Sequence, residues 1–525
     1  MTLAMSVGPI VLLIYLMTRR NALPSHVALP LVAVVVYTVK VFYFDDSLRF
    51  VNAHIIKGLL TALTPILIIC GAVFMFKTMV RSGAMATVSE WLYGISNNRV
   101  AQLMIVGWAF SFMIEGASGF GTPAALAAPI LVGMGFPIAQ VAVFTLIMNS
   151  VPVSFGAVGT PTWFGMGQLG LSDIELLNIG FKTALIHAAA ALVVPLLGLR
   201  VLLDWKTIRE NAGFVYVSVL ACVVPYVALA RFNFEFPALI AGMIGLFVSI
   251  VSANRGLGLT VTAESSAPRT KLSTGELARA LFPLWATVIT LLLTRIEHLG
   301  IKVLLTDGTP IVELHLGFLG QLGISASMVL TLSSILQTSA DWVFQALYIP
   351  ALIPFFLVTL ISFYVYRLDR KIIRQICAET YERIALPSLS LFGALAMVQL
   401  LMMGGDTSMV MIIGERFADA SGNSWQLFAP LLGALGSFFS GSATVSNLTF
   451  AGIQDSVATD LGLDRSLILS LQSVGAAMGN MVCINNIVAV CSILGLSRHE
   501  GWILKRTIGP MFVYALIAAI AGLAL

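Results

Sequence analysis

Apolar runs long enough to cross a bilayer recur along the chain, near residues 3–18, 24–44, 57–80, 180–203, 213–231, 235–253, 278–297, 345–366, 384–404 and 507–525. Between them lie segments whose apolar pattern is interrupted at its centre. RVAQLMIVGWAFSFMI and AALAAPILVGMGFP flank EGASGFGTP (Glu115 to Pro123), and each flank alone is shorter than the roughly 20 residues that span a membrane. This reads as a re-entrant hairpin over 100–135 with an irregular tip. The run that follows, 137–170, is broken by NSVPVSFGAVGTP (Asn149 to Pro161) and reads as a broken helix. The order recurs in the second half, with a hairpin over 424–461 whose tip is SGSATVSN (Ser440 to Asn447), then a helix over 465–496 broken by GNMVCINN (Gly479 to Asn486).

Sliding one block over the other sets Gly116 on Gly441 and Thr122 on Asn447. With the N-terminus outside, most Lys and Arg fall on the inner side. The first hairpin then enters from the cytoplasm and the second from outside. The expected fold is an all-α polytopic membrane protein of about 12 spanning helices plus two re-entrant hairpins, in two inverted-topology repeats. Its parts are an N-terminal half, 1–253, a polar cytoplasmic linker, 254–276, and a C-terminal half, 277–525. A second long connection, Leu299 to Ala340, is assigned no structure by its mixed composition.

Composition agrees with a membrane location, since 58% of the 525 residues are hydrophobic and only 10% charged. The net charge of +4 is spread by topology and gives no reason to expect nucleic acid. The five cysteines show no CxxC spacing, and no cofactor or metal is expected. A GMGQLG run at Gly165 to Gly170 matches GxGxxG but has no βαβ context and reads as chance.

Non-helical backbone at membrane depth is tolerated where it is buried in protein or lines a wet cavity, so the tips are the candidate site. Thr122 reads as the N-cap of the first returning half-helix and Pro123 as its first residue, and Asn447 as the cap of the second. Two helix N-termini facing each other would hold a small anion. The commoner use of such residues is close helix packing. Clustering at mid-segment, beside a carboxylate and in both halves, favours a site made of Gly116, Ser118, Gly119, Gly121, Thr122, Asn149, Gly441, Ser442, Thr444 and Asn447. Glu115, an ionisable group at bilayer depth, is the candidate proton carrier. Burial and a nearby anion both favour its neutral form, so anion binding promotes proton uptake; the competing reading is a structural cap. Asn485, Asn486 and Ser440 are candidate polar contacts to ion or substrate, with satisfying the broken backbone as the alternative. Asp406, after MMGG, reads as such a contact or as a solvated N-cap. His187 reads as a core histidine rather than a relay.

EGASGFGTPAALAAPILVGMGFP, NSVPVSFGAVGTP and GSATVSN followed by Leu461 to Leu463 resemble the L-lactate permease family, bacterial carriers of lactate and glycolate coupled to protons. The resemblance implies an ion-transporter-superfamily fold with inverted repeats and an elevator motion. It also implies a multi-pass inner-membrane location. The second half departs from the pattern, which has Asp where Ala443 stands and Lys where Asn480 stands. Both charges are absent together, as expected for loss of an ion pair. The reading is therefore a symporter, not an enzyme, for small organic monoanions, with L-lactate- or glycolate-type 2-hydroxy monocarboxylates and protons first. A Na⁺-coupled carrier of a dicarboxylate or sulfonate stands second, and a membrane-embedded hydrolase is the non-transport alternative. Expected partners are the anion, H⁺ or Na⁺ and the bilayer, with a homodimer left open.

Overall fold

A computed structural model describes residues 1–18, 23–119, 121–260, 273–295, 299–496 and 499–525, and the side chains of all of these except Thr18, Ala125, Asp406 and Asn423. Most of the expected linker, 254–276, lies outside the described residues. Among those described, eight helices are long and apolar enough to cross a membrane, or eleven if each of three bent pairs counts as one span.

The chain divides into two compact units, each drawing on both halves of the sequence: residues 1–85 with 278–416, and 86–277 with 417–525. In the first, the apolar helix Ser25–Phe42 packs along the helix Arg370–Met402. The backbones approach closely because Gly393 sits against Pro30 and Gly58 against Leu395 and Ala396, the small-residue packing that lipid-embedded helices favour. The same unit corrects the all-α expectation. Strands β1 (Pro310–His315), β2 (Gln321–Ser325), β3 (Val329–Ser333) and β4 (Trp342–Gln345) form an antiparallel meander in sequence order. Alternation of apolar residues in β3 and β4 pairs Leu330 with Phe344 and Leu332 with Trp342, and the two rings stack at 5.7 Å. The span expected at 345–366 is correspondingly shorter, with helix only over 352–366.

The second unit holds both interrupted segments. Its elements include α1 (Arg99–Ser118), α2 (Thr122–Gly133), α3 (Ile138–Met148), α4 (Gly156–Trp163), α5 (Asp173–Ala191), α6 (Ala212–Ala230), α7 (Pro237–Asn254), α8 (Trp425–Ser440), α9 (Ala443–Asp460), α10 (Arg465–Gly479), α11 (Ile484–Ile493) and α12 (Glu500–Ala524). Helix α1 is longer than the pattern suggested. It carries a π-helical stretch at Leu103–Phe110 and runs unbroken through Glu115 to Ser118 over 20 residues, so of the expected tip Glu115 to Ser118 are helical. The small residues that looked like helix breakers instead allow packing: Gly116 lies against the backbone of Ala238 and Leu239 in α7, and the Ser118 hydroxyl donates back to the Ile114 carbonyl at 2.9 Å.

Both interrupted runs are bent pairs of helices. The chain bends by 61° between Ile138–Met148 and Pro152–Leu169, and by 41° between Arg465–Val482 and Ile484–Ile493. Pro152 cannot donate to the preceding turn, and Cys483 adopts an extended conformation ahead of α11. Arg465, at the start of α10, pairs with Asp455 of α9 and with Glu175 of α5, tying both to the entry of the second broken helix.

Candidate functional site

Two tips and two breaks line one partly open cavity, with about 370 Å³ of atom-free space counted out to its open side. Each tip turns on a glycine in the left-handed region. Gly121 precedes α2 and Gly441 follows α8, both at φ 73°. Any residue with a Cβ is strained by about 1–2 kcal/mol in that conformation. Both glycines also face the Asn486 side-chain oxygen: a Cβ at either would stand 3.7 Å (Gly121) or 3.5 Å (Gly441) from it. The two tips thus meet across one amide.

The caps differ from the sequence expectation. Gly121, not Thr122, occupies the N-cap of α2, because the left-handed turn leaves Thr122 already helical, with its N–H donating to the Gly119 carbonyl. Ser442, not Asn447, caps α9, its hydroxyl accepting the Val445 N–H at 3.3 Å, and Ser440 braces the same turn by accepting the Ser442 N–H at 3.2 Å. Both helices begin at the cavity, with Gly121, Ser442, Ala443 and Thr444 in its wall, so their N-terminal N–H groups and the positive ends of their dipoles lie at its edge.

Among the described lining residues, Glu115, 3% exposed, is the acidic one and none is basic. The Asn149 amide donates to Glu115 Oε2 at 3.0 Å. The other carboxylate oxygen sits beside Gly119 and Gly156; a methyl group on Gly156 would meet Oε1 at 2.5 Å. The glycine at 156 therefore makes room for the acid. Asn149 Oδ1 is buried with no hydrogen-bond partner in the structure.

Strain gathers in the first break. Ala157 (φ 45°) and Val158 (φ 56°) are left-handed without being glycine, a conformation costing about 1–2 kcal/mol each and sustained only where the surroundings over-determine it. Those surroundings are side-chain donors that replace lost helical hydrogen bonds. Tyr226 donates to the Val151 carbonyl (3.2 Å), Thr162 to Ser154 (2.7 Å), Thr160 to Ala157 (2.5 Å), Trp163 to Val158 (3.0 Å) and Asn447 to Pro161 (2.8 Å). His187 accompanies them, its Nε2 meeting the Ser154 hydroxyl at 2.8 Å and its Nδ1 the Tyr514 hydroxyl, as a core histidine with both nitrogens satisfied. In the second break the asparagines do this work. Asn486 donates to the Asn480 carbonyl and side-chain oxygen (3.2 and 3.0 Å), and Asn485 to the Phe439 carbonyl (3.4 Å).

Of the residues singled out from sequence, Glu115, Gly119, Gly121, Asn149, Gly441, Ser442, Thr444 and Asn486 line the cavity. Gly116, Ser118, Thr122, Ser440, Asn447 and Asn485 stand behind it, packing, capping or bracing its wall. The Asp406 side chain lies outside the described residues, and its backbone belongs to the other unit. Val153, Gly156, Ala157, Pro161, Ala443 and Asn480 also line the cavity. The first four lie inside the interrupted run, and that interruption was the signal for them.

A mostly helical membrane protein with two broken helices and two helix N-termini around a small polar cavity belongs, by its architecture, among polytopic transport proteins. The L-lactate permease family model matches residues 3–525, and the chain belongs to that family. It is 50% identical over 522 residues to a putative L-lactate permease of Haemophilus influenzae, covering 99% of this chain and 97% of that one. It is also 25% identical over 524 residues to the glycolate permease GlcA of Escherichia coli, covering 95% and 91%. Among solved structures, the Neisseria gonorrhoeae MtrF efflux pump matches with 14% identity and a TM-score of 0.47, over 97% of this chain and 96% of that one. The family and the apolar helices make this a multi-pass inner-membrane transporter rather than an enzyme.

The tip glycines make a direct prediction. Gly441→Val adds left-handed strain and drives a branched side chain toward Cys483 and Asn486, so substrate binding should be lost while folded protein is still recovered from the membrane. Gly509→Val, in α12 with no atom within 4 Å of a Cβ, is the matched control and should bind normally. Equal affinity in the two variants would make the tip a packing device. Gly242, in α7, is no such control, because it lies against Met113 of α1, two residues from Glu115.

Proposed function

We propose that this protein is a proton symporter of short 2-hydroxy monocarboxylates such as L-lactate and glycolate. The observation that carries this reading is the placement of buried Glu115 in the wall of a cavity edged by two helix N-termini and lined, among the described residues, by no basic side chain. A carboxylate substrate gains from the N–H groups and dipoles of α2 and α9. The same negative charge opposes ionised Glu115, so the loaded state takes up a proton with the anion. One proton and one monoanion then move together, so each cycle transfers no net charge, and the site carries a single negative charge whether loaded or empty. Release on the other side removes the anion, and the proton follows it. The names of the relatives, an L-lactate permease and a glycolate permease, agree with an anion of this class. We also read the two interrupted blocks as inverted repeats, with the N-terminus outside, which would let the site open to either side in turn.

One observation supports a second reading, Na⁺ coupling with another small organic anion. Asn149 Oδ1 is a buried oxygen without a hydrogen-bond partner, as a ligand to a hard cation would be. The two readings part in one experiment. In proteoliposomes free of Na⁺, an acid-outside pH gradient should drive L-lactate accumulation, and internal unlabelled L-lactate should drive counterflow of labelled L-lactate. Accumulation only under an inward Na⁺ gradient at equal pH would replace the proton by Na⁺. Absence of counterflow for both L-lactate and glycolate would sink the substrate class.

A further inference from the structure

Behind the cavity a line of neutral side chains crosses the second unit. The Trp425 indole N–H donates to Gln454 Oε1 at 2.7 Å. Gln454 Nε2 donates to Gln472 Oε1 at 3.0 Å and to the Ala429 carbonyl at 2.9 Å. Gln472 Nε2 donates to Asn447 Oδ1 at 3.3 Å and to the Ser446 hydroxyl at 3.2 Å. Asn447 Nδ2 donates to the Pro161 carbonyl at 2.8 Å. All three carboxamides are fully buried.

The ends of this line dictate its sense. An indole N–H can only donate and a backbone carbonyl can only accept, so each carboxamide between them is held in a single orientation. The far end matters because the Pro161 carbonyl has lost its helical partner: the Gly165 N–H that would reach it bonds to the Thr160 carbonyl at 3.0 Å instead. Asn447 takes its place. Pro161 is itself in the cavity wall, directly after the left-handed turn of the first break. The line therefore runs from α8 through α9, the helices of the second tip, and α10, the first part of the second broken helix, to the backbone that shapes the first break. It contains no ionisable group.

We propose that Asn447, Gln472, Gln454 and Trp425 are positioning residues for substrate affinity, acting through the Pro161 carbonyl to hold the first break against the second tip. The proposal rests on the carrier reading above and assigns these residues no contact with substrate. Two variants test it. Asn447→Asp keeps the size and, in its ionised form, can only accept and has no donor for Pro161, and Trp425→Phe removes the indole donor that sets the direction of the line. L-lactate exchange is measured in proteoliposomes against the amount of folded protein. The half-saturating concentration should rise at least tenfold for Asn447→Asp and by a smaller factor for Trp425→Phe, with the maximal rate per folded molecule much less affected. Because both act through one line, the double variant should be little worse than Asn447→Asp alone. A structural role alone would lower the yield of folded protein and leave half-saturation where it was. Unchanged half-saturation in both single variants, or factors that multiply in the double variant, would overturn the proposal. Failure of the carrier reading shows separately, as absence of exchange by the unmodified protein.

Discussion

Glu115→Gln is expected to abolish L-lactate accumulation driven by a pH gradient while leaving exchange of internal for external L-lactate in place. The glutamine keeps an oxygen to accept the Asn149 hydrogen bond and fits the space that Gly119 and Gly156 leave, so the cavity retains its shape. What it loses is the ability to change charge. A permanently neutral side chain tolerates the anion as the protonated acid does, and exchange cycles between loaded states only. Net uphill transport needs the proton to leave with the substrate, and the variant has none to release. Accumulation should fall to the background of empty liposomes, and exchange should become insensitive to pH across the range in which the unmodified carrier responds. Proton-driven accumulation at the unmodified rate would remove Glu115 from the coupling mechanism. Gly156→Ala offers an independent approach to the same group, since the added methyl must displace the carboxylate, and it should impair coupling with the acid still present.

Ala443→Asp should abolish transport, and Asn480→Lys in the same chain should restore much of it. Ala443 is 3% exposed, the first residue of α9, and shares the cavity wall with Glu115. A carboxylate there is an unpaired buried charge next to a second acid and an anionic substrate, a penalty on the order of 3 kcal/mol or more, equivalent to a hundredfold or greater loss of affinity. The partner position is close. Ala443 packs against Ala476 and Ala477 of α10, and Asn480, one helical turn beyond Ala476, donates to its carbonyl at 3.4 Å. A lysine at 480 can therefore reach an aspartate at 443. The measurement is a double-mutant cycle on substrate affinity. Additive effects would show that the two positions do not communicate and that the paired absence of charge in this chain has no common cause.

Much of this protein was legible from residue order because the relevant physics is local. Hydropathy alone identifies a membrane protein. Proline and glycine mark where helices stop, and the turns at Gly121 and Gly441 are positions where the chain needs a left-handed residue, which is why both tips could be located. A carboxylate in an apolar run is conspicuous wherever the run folds, and Glu115 does line the cavity.

Only the tertiary structure decided which of those residues meet, because the partners are set by packing between segments far apart in the chain. Asn447 reads as a helix cap; it is an interior residue of α9 whose amide serves a carbonyl of the first break, 286 positions earlier. Asn486 reads as a filler of broken backbone; it does that and also stands between the two tips. Gly116 and Gly121 look alike in EGASGFGTP, yet the first admits a neighbouring helix and the second turns the chain at the cavity, a difference that depends on where α7 lies. The meander at 310–345 escaped the hydrophobic pattern for a related reason: β1 is exposed throughout, and the other three strands are only 4 or 5 residues long, too short for their alternation to stand out. Local sequence specifies where backbone hydrogen bonds are broken, and long-range packing supplies the groups that satisfy them.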